Sequence, residues 1–186
     1  AGGVAFRREP AVGAHPVARC RLLFAQRRHQ RLRHPLQERA VGRFATQRFI
    51  GGVEIAVAQF KAIPKMVSAF RTGLGLGWHE HDSALFHGTE RFFRPGYAAN
   101  LVSQWIPACE GLHDKLTAGA AVADVGCGHG ASTLIMAEAF PRSTFVGFDY
   151  HMPSVEQATQ AAERAGLASR VRFEVASAKG FPGRGY

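Results

Sequence analysis

Two short apolar runs, AAVADV at 120–125 and FVGFD at 145–149, and a third strand-like run that alternates apolar with charged residues, RVRFEVA at 170–176, are separated by stretches of helical period in the last third of the chain. Between the first two, Leu134, Ile135, Ala137 and Phe140 recur at helical spacing and the pattern stops before Pro141, which predicts a helix over 131–140. After Pro153, Ser154 and Gln157 read as a capping box, and Gly166 is placed to end a second helix. Strand, helix, strand, helix and strand in succession with short loops predict half of a parallel α/β sheet. Upstream, the spacing predicts a helix over 98–110 that packs on this sheet and is bent or ended at Pro107, with RFFRPGY (Phe92, Phe93, Arg94, Tyr97) just before it.

The first strand runs into Gly126, Gly128 and Gly130, and the second ends on Asp149, 21 positions after Gly128. Glycines let a backbone turn sharply and approach a ligand without a Cβ in the way, and the free N–H groups of the following helix face that ligand. A carboxylate at the end of the second strand can accept both hydroxyls of a ribose, so the arrangement suits an adenosine cofactor. Gly126, Gly128 and Ala131 also satisfy the dinucleotide fingerprint, which leaves a nicotinamide-linked oxidoreductase open. Asp124 and Gly130 argue the other way: they make the pattern D-x-G-x-G, in which the acid can orient the loop or meet an ammonium through water, and would repel a pyrophosphate.

The blocks AFRTGLGLGWHEHD, GTERFFRPGYAANLVSQWIPA, VADVGCGHGASTLIMAEAFP, FVGFDYH and RVRFEVASAK occur in this order from about residue 60 onwards. They resemble the bacterial class I S-adenosylmethionine-dependent methyltransferases that carry an N-terminal winged-helix domain. The resemblance implies a Rossmann-like doubly wound sheet and methyl transfer to a small molecule. Carried over, it implies that Gly126, Cys127 and Gly128 line the methionine and ribose side of S-adenosylmethionine, that Asp149 holds the ribose, and that Tyr150 lies against the adenine. Ser177 and Ala178, where the third strand opens, would contact the adenine edge, although relatives often have Asp where Ser177 stands. Tyr97 is a candidate to close over the methionine end.

Only the N-terminal half of such a sheet is expected here, preceded by a helical linker. In the family the fourth strand pairs beside the first, and Tyr186 falls where it should begin, so a truncated chain is expected. The acceptor-side wall and any catalytic base would lie mostly in the missing part, which leaves catalytic residues unassigned. The expected division is 1–48, an Arg-rich and irregular or aberrant segment; 49–110, a helical linker; and 111–186, the partial cofactor domain.

Charge separates the first of these from the rest. Residues 1–50 hold 11 Arg, no Lys, and only Glu9 and Glu38, so 11 − 2 gives the whole net charge of +9. Such an arm can bind a polyanion, and a basic DNA-binding regulator with a cofactor-sensing fold is the rival reading. A transit peptide fits less well, because no Ser precedes Ser68. The segment also lacks Lys, Asp, Asn, Ser, Tyr, Trp and Met, a bias expected of GC-rich DNA read out of frame, so a frameshift remnant is the preferred explanation. Nucleic acid is then not the expected partner.

Cys20, Cys109 and Cys127 form no C-x-x-C pair, which points to a reducing, cytoplasmic setting, and no apolar run spans a membrane. His79, His81, Asp82 and His87 have a spacing that can hold a metal, but a linker role is preferred and no metal is expected. His129 and His151 flank the cofactor residues and are expected to line the site rather than do acid/base work. Homodimerisation is expected of full-length relatives.

Overall fold

The computed structural model describes residues 35–186. Cys20 and most of the Arg-rich segment lie outside the described residues. Helix α1 (Pro35–Thr72) is described from within that segment onwards and crosses the expected boundary at residue 48. A 3₁₀ turn (Trp78–Glu80) leads to α2 (Ser83–Asn100), which Asp82 caps by accepting the N–H of Ala84. A π turn (Leu101–Trp105) and α3 (Leu112–Ala118) precede the alternating unit: β1 (Ala121–Val125), α4 (Ala131–Ala139), β2 (Thr144–Asp149), α5 (Met152–Arg164) and β3 (Val171–Val175). No winged helix is seen among the described residues, since only helices precede β1.

The three strands are parallel in the order β1-β2-β3, with Val125 beside Phe148 and Asp149 beside Val175. β2 is central and its Phe145, Val146 and Phe148 are buried, which explains its nearly continuous apolar run. The outer edge of β1 carries no strand among the described residues. Helices α4 and α5 close the core with Ala137, Val155, Ala158 and Ala162 around Phe145 and Phe173. Gly147 is the close approach on which this packing depends, because a Cβ there would run into the Phe173 ring and come within 2.9 Å of Cys127 Sγ.

Several side chains tie strands to helices. The guanidinium of Arg170 donates to the carbonyls of Ala137, Phe140 and Ser143, satisfying carbonyls at the C-terminal end of α4 and in the turn that follows it. Ser143, fully buried, donates to Leu116 O and accepts the N–H of Ala120, fastening α3 to the start of β1. At the end of α5, Gly166 N–H bonds Glu163 O and Leu167 N–H bonds Ala162 O, with Gly166 at φ 68°. This Schellman ending is the stop expected of Gly166.

Two sequence expectations need correction. The helix predicted over 98–110 is instead the end of α2, the π turn and a short irregular stretch; α2 runs through Pro95, so RFFRPGY lies within a helix rather than before one. The helical run does end around Pro107. The capping box at Ser154 is not formed either: α5 begins at Met152 with His151 as its cap residue, and Ser154 Oγ meets His151 Nδ1 at 2.8 Å.

Helix α1 packs on α2 through a narrow strip of small residues. Gly51, Ala58 and Ala62 are buried, and at Gly51 a Cβ would stand 2.7 Å from Gly88 O, so the two backbones meet with no side chain between them. Glu54 pairs with Arg91 at 2.9 Å across the same contact. No described helix is long and apolar enough to cross a membrane.

Candidate functional site

The C-terminal ends of β1 and β2 meet at the glycine loop. Gly126, Gly128 and Gly130 all have left-handed backbone, with φ of 82°, 54° and 76°, the region open to glycine and costly for other residues. Phe148 O accepts the N–H groups of Gly126 and Cys127, and Gly130 N–H closes a turn onto Cys127 O. Nothing lies within 4 Å of where a Cβ would stand on Gly126 or Gly128, so a ligand can approach the backbone there. Gly130 differs: its missing Cβ makes room for the Phe173 ring, and it serves packing.

Asp149 joins the loop to the end of β2. One carboxylate oxygen accepts Gly128 N–H and the other accepts His151 N–H, each at 2.9 Å. Asp124 is turned to a different task. Its Oδ2 accepts the hydroxyls of Ser132 and Thr133 at 2.9 and 2.6 Å, pinning the first turn of α4 to β1.

A cavity of about 220 Å³ opens in front of this loop. One wall is Gly126, Cys127, Gly128, His129, Ala131, Ser132 and Asp149; the other is Trp78 with Phe86, Glu90, Phe93 and Tyr97 of α2. Residues 86, 90, 93 and 97 are spaced four, three and four apart, one face of a helix, so α2 covers the loop with aromatic rings and a single carboxylate. Phe86 stacks on the His151 ring at 4.2 Å and meets Trp78 edge-on at 5.3 Å, fixing α2 over the start of α5.

The cavity thus brings together Gly126, Cys127, Gly128 and Asp149, and adds Tyr97. Asp124 and Gly130 stand behind the loop. Tyr150, Ser177 and Ala178 do not line the cavity: Tyr150 is half-exposed and meets His79 edge-on, while Ser177 and Ala178 sit in an exposed turn in which Ser177 Oγ accepts Lys179 N–H. They occupy the same end of the sheet, beyond Asp149. Sequence reasoning missed Glu90, which also reaches His129 Nδ1 at 3.0 Å. The signal was available in the helical spacing of Phe86, Glu90, Phe93 and Tyr97, hidden by placing the helix too late.

Charge states follow from these contacts. The hydrogen bond from His129 holds the Glu90 carboxyl below its ordinary range, against the opposing effect of burial. Burial, reinforced by Asp124 and Asp149, pushes the Cys127 thiol up to about 12, so it is a neutral, inert wall. Partial burial also lowers His151. The candidate metal residues meet other partners: Asp82 pairs with Lys61 at 2.9 Å, His79 faces Tyr150, His81 faces Trp78 and His87 faces His129.

Comparison with known proteins gives the same domain. A family model described as a methyltransferase domain matches residues 116–184. No curated protein matches the chain. Among solved structures, the chain is similar to StiE O-MT, at 30% identity over 37% of this chain and 25% of that one, with a TM-score of 0.35. It is also similar to an O-methyltransferase family protein from Burkholderia thailandensis, at 17% identity over 67% and 37% of the two chains, TM-score 0.48. A third, the O-methyltransferase NcsB1 from neocarzinostatin biosynthesis with S-adenosylmethionine and a naphthoic acid, is 18% identical over 77% and 43%, TM-score 0.41. The chain spans well under two thirds of each of these proteins. Residues 116–184 thus match a methyltransferase domain, and the glycine loop and the parallel β1-β2-β3 order give them a partial Rossmann-like fold.

Proposed function

We propose that this chain carries the cofactor site of an S-adenosylmethionine-dependent methyltransferase that acts on a small molecule. The observation that carries this reading is the cavity between the glycine loop and α2, walled by bare backbone at Gly126 and Gly128 and by the Asp149 carboxylate. Gly126, Cys127 and Gly128 would hold the methionine and ribose portion. Asp149 spends one acceptor site per oxygen on backbone N–H groups, and a carboxylate offers about four, so capacity remains for the two ribose hydroxyls. Tyr150 and the turn at Ser177 and Ala178 would take the adenine, beyond the cavity on the same end of the sheet. Asp124 and Gly130 contribute indirectly, by setting the start of α4 and its packing on Phe173.

The bound cofactor supplies an electrophilic methyl group on a sulfonium. The chain's own part is to align an acceptor with it under the aromatic face of α2. Calorimetric titration with S-adenosylhomocysteine, with NAD as control, tests the reading. Selective binding that falls at least about tenfold in Asp149→Ala is expected, a loss of about 1.4 kcal/mol. Equal binding of NAD, or indifference to the substitution, would overturn it.

A further inference from the structure

We propose that a second cavity, between α1 and α2, is a binding site for a small organic monoanion with a flat apolar body, a carboxylate foremost. It is separate from the space in front of the glycine loop and does not depend on what that space holds.

Helix α2 turns two stripes to two different neighbours. Phe86, Glu90, Phe93 and Tyr97 face the glycine loop. His87, Arg91, Arg94 and Ala98 repeat the same spacing one residue later, about 100° further round the helix, and face the N-terminal half of α1. With Phe44 and Gln47 of α1 they line a cavity of about 630 Å³, a size that holds a small organic ligand. Glu90 stands at the border and lines both spaces.

The second stripe is cationic where the first is aromatic. Of the charged side chains lining the cavity, Arg91 and Arg94 are positive and Glu90 is negative, so one positive charge is left over and a single anionic head balances it. The two guanidinium groups are held differently. Arg91 is anchored: it meets Glu54 Oε1 at 2.9 Å, and the other oxygen of Glu54 is buried with no hydrogen-bond partner, so withdrawing Arg91 would strand that carboxylate. A guanidinium has five N–H donors, and this contact leaves most of them for a ligand.

Arg94 is loose. Its Nη1 is 3.7 Å from Glu90 Oε1, beyond hydrogen-bond reach, its side chain is 65% exposed, and the other oxygen of Glu90 is engaged by His129. One arginine thus fixes where the positive charge stands, and the other can close on an incoming anion with the planar fork that suits a carboxylate. The His87 ring and the Gln47 amide add hydrogen-bonding groups, while Phe44 and Pro95 supply apolar wall. Phe44 is 41% exposed, and a flat ring laid against it would cover that surface.

The test uses 3-phenylpropionate and its uncharged counterpart 3-phenylpropionamide, each titrated into the full chain and followed by backbone NMR in the wild type, Arg94→Gln and Ala98→Phe. Both substituted positions are exposed, so the fold should survive either change, and Ala98→Phe fills the cavity without altering its charge. The carboxylate should shift Gln47, His87, Arg91 and Arg94 saturably and bind about fivefold more tightly than the uncharged compound. Arg94→Gln should remove about that advantage, and Ala98→Phe should abolish binding. Equal binding of the uncharged compound, an affinity unchanged in either variant, or no saturable shift would overturn the proposal. A repeat with S-adenosylhomocysteine present separates the two sites. The carboxylate shifts at Arg91 and Arg94 should persist; their loss, with shifts at Gly126 and Gly128 in its absence, would show that the acid had entered the cofactor cavity and would overturn the second site. Failure of S-adenosylhomocysteine to bind counts against the methyltransferase reading alone.

Discussion

The sheet unit and the α1–α2 pair bury apolar surface in opposite ways. Around β2, large side chains interlock from both faces, and Phe145 is 1% exposed. Along α1 the buried strip is glycine and alanine, while Phe60 and Phe70 on its other side are 71% and 88% exposed. One region is held by volume and the other by close backbone approach. The cavity lies at their meeting, with a rigid loop from the sheet unit on one side and α2 on the other, so the site takes its precision from the first region and its cover from the second.

Substitutions can break this contrast. Phe145→Ala should have the largest effect, about 3–5 kcal/mol of lost stability in urea unfolding, because it empties the centre of a closed core. A loss near 1 kcal/mol would mean that the core is looser than its packing suggests. Gly147→Ala should follow at about 1–3 kcal/mol, since the new methyl meets Phe173 and Cys127 at a point where neither can retreat far.

Acid sharpens the comparison at the boundary. Glu90 has a folded-state pKa below its ordinary value, chiefly through His129, so it contributes stability above the ordinary carboxylate range and loses it as pH falls through the lowered value. Between neutrality and strong acid, Glu90→Gln should therefore lose less stability than the wild type. Equal acid sensitivity in both would show that the bond to His129 is absent in solution. The smallest effect belongs to α1, where Phe60→Ser should change unfolding stability by no more than about 0.5 kcal/mol. A drop above 1 kcal/mol would show that the outer face of α1 is covered in solution.

The same division decides what the sequence disclosed. All three strands were legible to within a residue, because β2 shows as an apolar run, β3 alternates apolar with charged residues and the glycines punctuate the loops. Helix α4 was legible because Pro141 stops it. The start and extent of α2 were not. Pro95 and Gly96 look like a break, yet Pro95 is buried within α2, and the tertiary contact with α1 outweighs the local penalty. That misplacement concealed Glu90 and the aromatic wall. At Asp124, spacing named the residue but left two roles open, because only three dimensions reveal that Ser132 and Thr133 return to its carboxylate.

The central claim is that the cofactor sits between the glycine loop and α2, and an amide NMR map of the full chain with S-adenosylhomocysteine tests it most directly. The account expects the largest shifts at Gly126, Gly128, Asp149 and Tyr150, with smaller ones at Phe93 and Tyr97 of α2. Shifts centred instead on Phe44, Gln47 and Arg91 around the second cavity, with the glycine loop unmoved, would contradict it.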